Sequence, residues 1–356
     1  GSIKDSLTFD DVSLVPLQSK VVPSETITKI SLHKNLNLEI PLLSSAMDTV
    51  TESKMAIAIA KMGGIGILHR NLSVVEQIKE IKIVKKQKCK VGAALGVSLN
   101  DIERAKRLID ANVDLLVVDT AHGHTRRVAN MISKVKKIIK NIPLCAGNIA
   151  TGRAAKFLKN CGADIVKVGI GPGSICTTRL VAGVGVPQLS AVMNVKKALG
   201  KSKIKIISDG GIKFSGDLAK ALAAGADAIM IGSLFSGTSE SPGKILKRKG
   251  KLFKTFRGMG SAGAMSLGSS ERYFQKNFKD ISKFVPEGVE GIVKYKGSVD
   301  KIIYNLVGGL RSSMGYLGAK NIYELQKKGE FVKIRKAGFY ESMVHNVDQI
   351  KKNGTK

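Results

Sequence analysis

The stretch "CGADIVKVGIGPGSICTTR" (residues 161–179) holds a helix end, a short apolar run and a glycine-rich loop that carries a cysteine. Its opening phrase recurs as "ANVD" at 111–114 and "AGAD" at 224–227, so one structural unit is repeated along the chain. Working outward from it, apolar runs alternate with helical segments. The runs are "IPLLSSAMD" (40–48), "GIGILHR" (64–70), "KVGAALGV" (90–97), "DLLVVDTA" (114–121), "IPLCAGN" (142–148), "DIVKVGIG" (164–171), "KIKIISDGG" (203–211) and "DAIMIGS" (227–233). Between them lie amphipathic stretches such as "TESKMAIAIAKMG", "DIERAKRLIDAN", "TGRAAKFLKNCG" and "SGDLAKALAAG", each closing on a Gly or Asn suited to a helix C-cap. Eight βα units with strands apolar on both faces predict a (β/α)8 TIM barrel, with a doubly wound open sheet as the alternative. Polar positions decide between them. Ser45, Asp119, Asn148, the 169–179 loop, Asp209 and Ser233 all fall at strand C-terminal ends, which in a barrel converge on one mouth.

After the eighth run the pattern breaks. Residues 236–296 are rich in Gly, Lys and Ser and contain "RGMGSAGAM" and "SSERYFQ", too long for an ordinary connection and therefore expected to be a functional flap. Helical periodicity returns in "DKIIYNLVGGLRSSMGYLG" (300–318).

Composition narrows the function classes. The chain has 356 residues, 43% of them hydrophobic, enough for a full core, and no apolar run approaches the roughly 20 residues that span a bilayer. Four cysteines (Cys89, Cys145, Cys161, Cys176) show no CxxC spacing, which argues for a reducing, cytoplasmic setting. A net charge of +30 raises the question of nucleic acid, but the lysines are spread over helices as in "SKVKKIIK", and only 5% of residues are aromatic, which leaves few stacking platforms. The positive field suits small anionic substrates instead.

The last two runs end in "SDGG" and "IGS", where barrel enzymes bind phosphate through backbone N–H groups, so Gly211, Gly232 and Ser233 are candidates for that role. Asp209 beside them would repel a phosphate and is expected to accept from ribose hydroxyls. The substrate then resembles a nucleotide. "GIGPGS" lacks the G-x-G-x-x-G spacing and follows the sixth strand, so its glycines are read as turning backbone carbonyls and amides inward, toward a monovalent cation or a cofactor. Cys176 lies at the mouth, whereas Cys145 falls inside a strand and Cys161 at a helix end. A thiolate there, among hydroxyls and helix dipoles, is a candidate nucleophile. His122 and His124 in "DTAHGH" stand at i, i+2 without further ligands and are read as loop residues.

The phrases "SSAMDTVTE", "GGIGILHRN", "VGAALGV", "GIGPGSICTTR", "GVGVPQLSA", "SDGGI", "RGMGSAGAM" and "RYFQ" resemble the IMP dehydrogenase family, from about residue 6 to 348. The resemblance implies oxidation of IMP to XMP with NAD and water. Cys176 would attack carbon 2 of the base and yield a covalent thioimidate, and a flap carrying Arg272 and Tyr273 would then activate water, aided by Thr178. An arginine base is chemically awkward, because guanidinium normally stays protonated. By the same resemblance, IMP would contact Ser45, Met47, Asn148, Ser174, Asp209, Gly210, Gly211, Gly232, Ser233, Phe256, Gly258, Met259, Gly260 and Glu287. NAD would lie near Asp119, Thr120, Ala121, Gly169, Ile170 and Gly171. Potassium (K+) would take main-chain oxygens of Gly171, Gly173 and Cys176, completed by Glu341, Ser342 and Met343 of a neighbouring subunit in a homotetramer.

Two departures stand out. The family's paired regulatory (CBS) module would sit near residues 88–91, where "KKQKCKVGAALG" runs straight through, so residues 1–356 are expected to form one catalytic barrel with 236–296 inserted. Phe256 precedes "RGMG" where the family commonly has tyrosine, which puts one phosphate hydrogen bond in doubt. GMP reductase shares the barrel and cysteine loop and is the alternative, but its deamination needs no water-activating Arg–Tyr pair.

Overall fold

Eight parallel strands close on themselves in a computed structural model that describes residues 3–276 and 280–347. They are β1 (Leu42–Ser44), β2 (Ile65–Leu68), β3 (Val91–Leu95), β4 (Leu115–Asp119), β5 (Leu144–Ile149), β6 (Ile165–Val168), β7 (Lys205–Asp209) and β8 (Ala228–Ile231). Each pairs with its neighbour in chain order, and β8 returns to β1 through Ile229 opposite Leu42. The barrel expected from the sequence is the observed fold, and each strand falls inside one of the eight apolar runs except β5, which extends one residue past its run to Ile149. Apart from the two ends of β7, every strand residue is buried, as strands covered by helices outside and packed side chains inside must be.

The helices between them start and stop where local chemistry directs. The helix α1 (Ser53–Lys61) follows β1, and α2 (Val74–Lys86) opens with a capping box in which Ser73 accepts from the Glu76 amide and Glu76 from the Ser73 amide. The other long ones are α3 (Asn100–Asp110), α4 (Arg126–Ile138), α5 (Gly152–Asn160), α6 (Gln188–Leu199) and α7 (Ser215–Ala223), and a single turn, Thr178–Val181, precedes α6. Thr125 and Thr151 cap α4 and α5 through their side chains. Asn112 and Gly162 take positive φ just past α3 and α5, which lets the chain turn into the next strand.

The recurring phrase has a physical cause. Its aspartate, just before an even-numbered strand, accepts from an amide at the start of the preceding strand: Asp114 from Val91, Asp164 from Leu144 and Asp227 from Ile206, at 2.8–2.9 Å. A lysine pairs with each carboxylate, Lys85, Lys136 and Lys205 respectively. Strand pairs are thereby pinned at the N-terminal end of the barrel. That end is closed by a hairpin, Ile30–His33 with Leu36–Leu38, whose Leu32, Leu36 and Leu38 are buried. The connection from α2 to β3 is four residues long (87–90), too short to hold an inserted module.

The eighth helix, α8 (Val299–Leu317), is separated from β8 by the anomalous segment. There a three-stranded antiparallel sheet forms from β9 (Leu246–Arg248), β10 (Lys251–Arg257) and β11 (Glu290–Lys294). Between β10 and β11 lie a short helix, Ala262–Leu267, and a 3-10 turn, Ser269–Tyr273. No helix among the described residues is long and apolar enough to cross a membrane.

Candidate active site

At the C-terminal mouth of the barrel is a cavity of about 470 Å³. Every residue assigned above to catalysis or to IMP lines it, as do those assigned to NAD except Thr120, which is fully buried and donates its hydroxyl to the Gly147 carbonyl at 2.7 Å. Of the residues assigned to potassium, Gly171, Gly173 and Cys176 line it, and Glu341, Ser342 and Met343 do not.

The floor of the cavity is organised by Lys167, a residue that the sequence reading passed over inside "DIVKVGIG". It lies on β6, buried, and donates to Asp119 at 3.1 Å, to Asp209 at 2.8 Å and to the Asn148 side-chain oxygen. Asn148 in turn donates to Asp209 at 2.9 Å and to the Gly169 carbonyl at 2.8 Å. Burial alone would lower the Lys167 pKa, but Asp119 and Asp209 outweigh it and the ammonium is held above its ordinary value. Asp119 is held well below the usual carboxylate range because Arg272 and Lys167 outweigh its burial. A lysine in a strand buried on both faces was the available signal, since such a charge is retained only when paired.

The cysteine loop leaves β6 and crosses the mouth. The Cys176 thiol donates to the Thr178 hydroxyl at 3.2 Å, and Thr178 donates to the Glu287 carboxylate at 2.7 Å. Residues 175–177 run antiparallel to 287–289, with the Thr177 amide on the Glu287 carbonyl and the Val289 amide on the Ile175 carbonyl. From below, Arg179 folds back to donate to the Ile170 and Val186 carbonyls, lying so close to Gly171 that a Cβ there would meet its Cγ at 2.5 Å. The other thiols stand apart: burial pushes Cys145 up to about 12 and also raises Cys161, while Cys89 is buried.

The inserted segment supplies the roof. Arg272 donates to Asp119 at 3.0 and 3.4 Å and to the Tyr273 hydroxyl at 2.8 Å, and its carbonyl accepts from the Ala121 amide at 3.0 Å. Burial would lower the guanidinium's pKa, but Asp119 overrides it and holds the group protonated. Burial pushes Tyr273 up to about 12 even though Arg272 opposes the shift. Gly258, Met259 and Gly260 line the cavity beneath, and Phe256 presents a buried ring without a hydroxyl.

A barrel with a thiol at its mouth, a buried Asp–Lys–Asp floor and an arginine–tyrosine roof can form and hydrolyse a covalent adduct. The family model described as "IMP dehydrogenase / GMP reductase domain" matches residues 6–345. The chain belongs to the IMP dehydrogenase/GMP reductase family. Among its relatives, the inosine-5'-monophosphate dehydrogenase of Borreliella burgdorferi is 49% identical, over 98% of both chains. That of Cryptosporidium parvum is 46% identical, over 98% of this chain and 97% of its own. The Bacillus subtilis enzyme of the same name is 38% identical at the same coverage. The dehydrogenases of the family use NAD, and the groups that the resemblance would offer to it, the Asp119 carboxylate and the Ala121 amide, are satisfied by Arg272 in this arrangement. The motif "SSERYFQ" had singled out Arg272 and Tyr273, which the fold brings to the cavity. Arg70 and Glu271 stand inside "GGIGILHRN" and "SSERYFQ", yet sequence reasoning assigned neither a role, because nothing local shows that the two charges meet.

Proposed function

We propose that this protein oxidises IMP to XMP with NAD and water at the barrel mouth, with Cys176 as the nucleophile. The chain is an oxidoreductase of its family's dehydrogenase type, and the relatives described above carry that name. The observation that carries the residue assignment is the placement of Cys176: of four thiols, it alone lines the cavity, with a hydroxyl–carboxylate relay at its sulfur.

In the first step the thiol proton leaves toward Thr178 and Glu287, sulfur bonds to carbon 2 of the base, and a hydride departs from that carbon. NAD, when bound, supplies the hydride acceptor. In the second step water adds to carbon 2 and sulfur leaves as XMP forms. As a base, Arg272 has to part from Asp119 first, because the carboxylate at 3.0 Å stabilises the protonated form. Thr178 with Glu287 offers water a second proton acceptor.

Substrate binding follows from the strand ends. The Gly211, Gly232 and Ser233 backbone takes the phosphate, and Lys296 props that loop by donating to the Ser233 and Leu234 carbonyls at 2.8 and 3.2 Å. Asp209, held by Lys167 and Asn148, keeps its carboxylate for ribose hydroxyls. Ser45, Met47, Ser174, Gly210, Met259 and Glu287 complete the wall. Residues 236–296 act as a flap in which Arg272 and the nicotinamide occupy the Asp119 side of the cavity in turn.

Potassium belongs to the same proposal. Gly171, Gly173 and Cys176 offer carbonyl oxygens, the donor type a hard cation takes. Glu341, Ser342 and Met343 do not line this cavity, so in this reading they complete the ion's shell from a neighbouring copy in a homotetramer, with exposed Tyr304, Tyr316 and Tyr323 as surface for it. The cytoplasmic setting rests on the cysteine spacing.

Incubation with IMP and NAD should produce NADH, and rapid quenching should show an IMP-derived mass on the peptide containing Cys176. Cys176→Ala should lose both while retaining IMP. NADH without that adduct would overturn the nucleophile, and reductive deamination of GMP in place of NADH formation would establish the reductase. Rates in potassium should exceed those in sodium or lithium at matched ionic strength. Equal rates would remove the ion.

A further inference from the structure

The inserted segment is tethered in two very different ways. At its root Arg257 grips Asp48 with donors at 2.7, 3.1 and 3.2 Å, and Asn71 donates to both Asp48 and the Ala264 carbonyl. At its tip the residue next to Arg272 is Glu271, whose side chain is 10% exposed. One of its oxygens lies 3.7 Å from Arg70 Nη1, beyond hydrogen-bond distance, and the other has no hydrogen-bond partner among the described residues. Lys276, more than half exposed, approaches that second oxygen only to 3.8 Å.

Arg70 mirrors this condition. It leaves the barrel just past β2, its side chain is 7% exposed, and Nη2 has no partner either. Its guanidinium lies over Gly96, where a Cβ would come within 2.9 Å of Nη1, so the bare backbone past β3 is what makes room for it. Asp101 of α3 also borders Gly96, but it pairs with Arg104 at 3.6 Å and accepts from the Gly96 and Ser98 amides, so Glu271 is the carboxylate within 4 Å of Arg70 that has no donors of its own among the described residues.

We propose that Arg70 and Glu271 are positioning residues: a buried charge latch, attractive but unbonded, that holds the flap tip down and keeps Arg272 against the site during the water step. The inference rests on the reading of residues 236–296 as a flap. Charge attraction in a dry pocket draws the tip in, while the absence of hydrogen bonds leaves both ions under-solvated. Opening restores water to both. Such a contact closes the site without fastening it, as suits a roof that has to leave in every catalytic cycle. A hydrogen-bonded pair like Arg257–Asp48 at the same place would hold the roof shut.

Hydrogen exchange without substrate tests the latch directly. The amides of Phe274 and Gln275, bonded within the tip to the Glu271 and Ser270 carbonyls, are the probes. Glu271→Gln or Arg70→Met leaves one buried ion unpaired, so exchange there should rise about tenfold in either variant, with the Arg257 region unchanged. The charge swap, Arg70→Glu with Glu271→Arg, should bring exchange back toward wild type. In turnover, the single variants should keep the initial NADH burst and lose about tenfold in the hydrolytic step, and the swap should recover it. Exchange within twofold of wild type in both single variants, or no recovery in the swap, would overturn the latch. Faster exchange with an unchanged hydrolytic step would overturn its role in positioning Arg272. A wild-type chain giving no NADH burst would sink the reading of the site instead, while the exchange result would still decide the latch.

Discussion

The barrel and the segment inserted between β8 and α8 are built on opposite terms. Along the barrel strands nearly every residue is buried, and polar side chains lie at the ends or one residue in, as Lys167, Asn148 and Ser208 do. In β10 the pattern alternates toward solvent, with Lys254 and Phe256 buried and Lys251, Leu252 and Thr255 exposed, and β11 has no buried residue. Strands closed into a barrel carry their stability in apolar contact and cannot shift without breaking it. The inserted segment is held at its root and tip by a few polar contacts. On the flap proposal it moves while the barrel stays fixed, so that the first region supplies geometry and the second timing.

Removing the roof's arginine separates the two most sharply. Arg272→Ala should slow hydrolysis by roughly 10²–10⁴-fold, the span of a general base, while hydride transfer survives. Rapid mixing should show a burst of NADH close to one per site, then a slow steady state with adduct accumulating on Cys176. Loss of the burst in proportion to the steady rate would mean that Arg272 serves the first step or the fold, and the division between barrel and roof would fail.

The same comparison predicts opposite responses to apolar truncation. Leu116 on β4 is fully buried, so Leu116→Ala should cost about 2–5 kcal/mol through lost contacts and a residual cavity. Leu267 in the inserted segment is 62% exposed, and Leu267→Ser should stay within about 0.5 kcal/mol. Urea midpoints measure both. A comparable loss at Leu267 would show the insertion to be part of the barrel's core rather than a roof laid upon it.

The strands, their order and the loops at their C-terminal ends were legible because they are written locally: an apolar run, a Gly or Asn helix end and a recurring aspartate each act within a few residues or on the adjoining strand. "GIGPGSICTTR" was legible for the same reason as a loop that carries its cysteine to the mouth, whereas the roles expected of Arg272 and Tyr273 in "SSERYFQ" came from the family resemblance alone. Thr120 shows the limit. It neighbours Asp119 in sequence, but strand alternation turns it to the opposite side, where its hydroxyl meets Gly147.

What the amino-acid sequence determined by itself was thus the barrel, its mouth and the identity of the thiol at that mouth. Tertiary structure alone decided which charges meet there. Lys167 and Asp119 are 48 residues apart, Arg272 and Asp119 are 153 apart, and Arg70 faces Glu271 across most of the barrel's sequence. No local periodicity encodes such pairings. They follow from the closure of eight strands, which brings the C-terminal ends of β2, β4, β6 and β7 to one mouth and lets a buried ion find the partner that makes its burial tolerable.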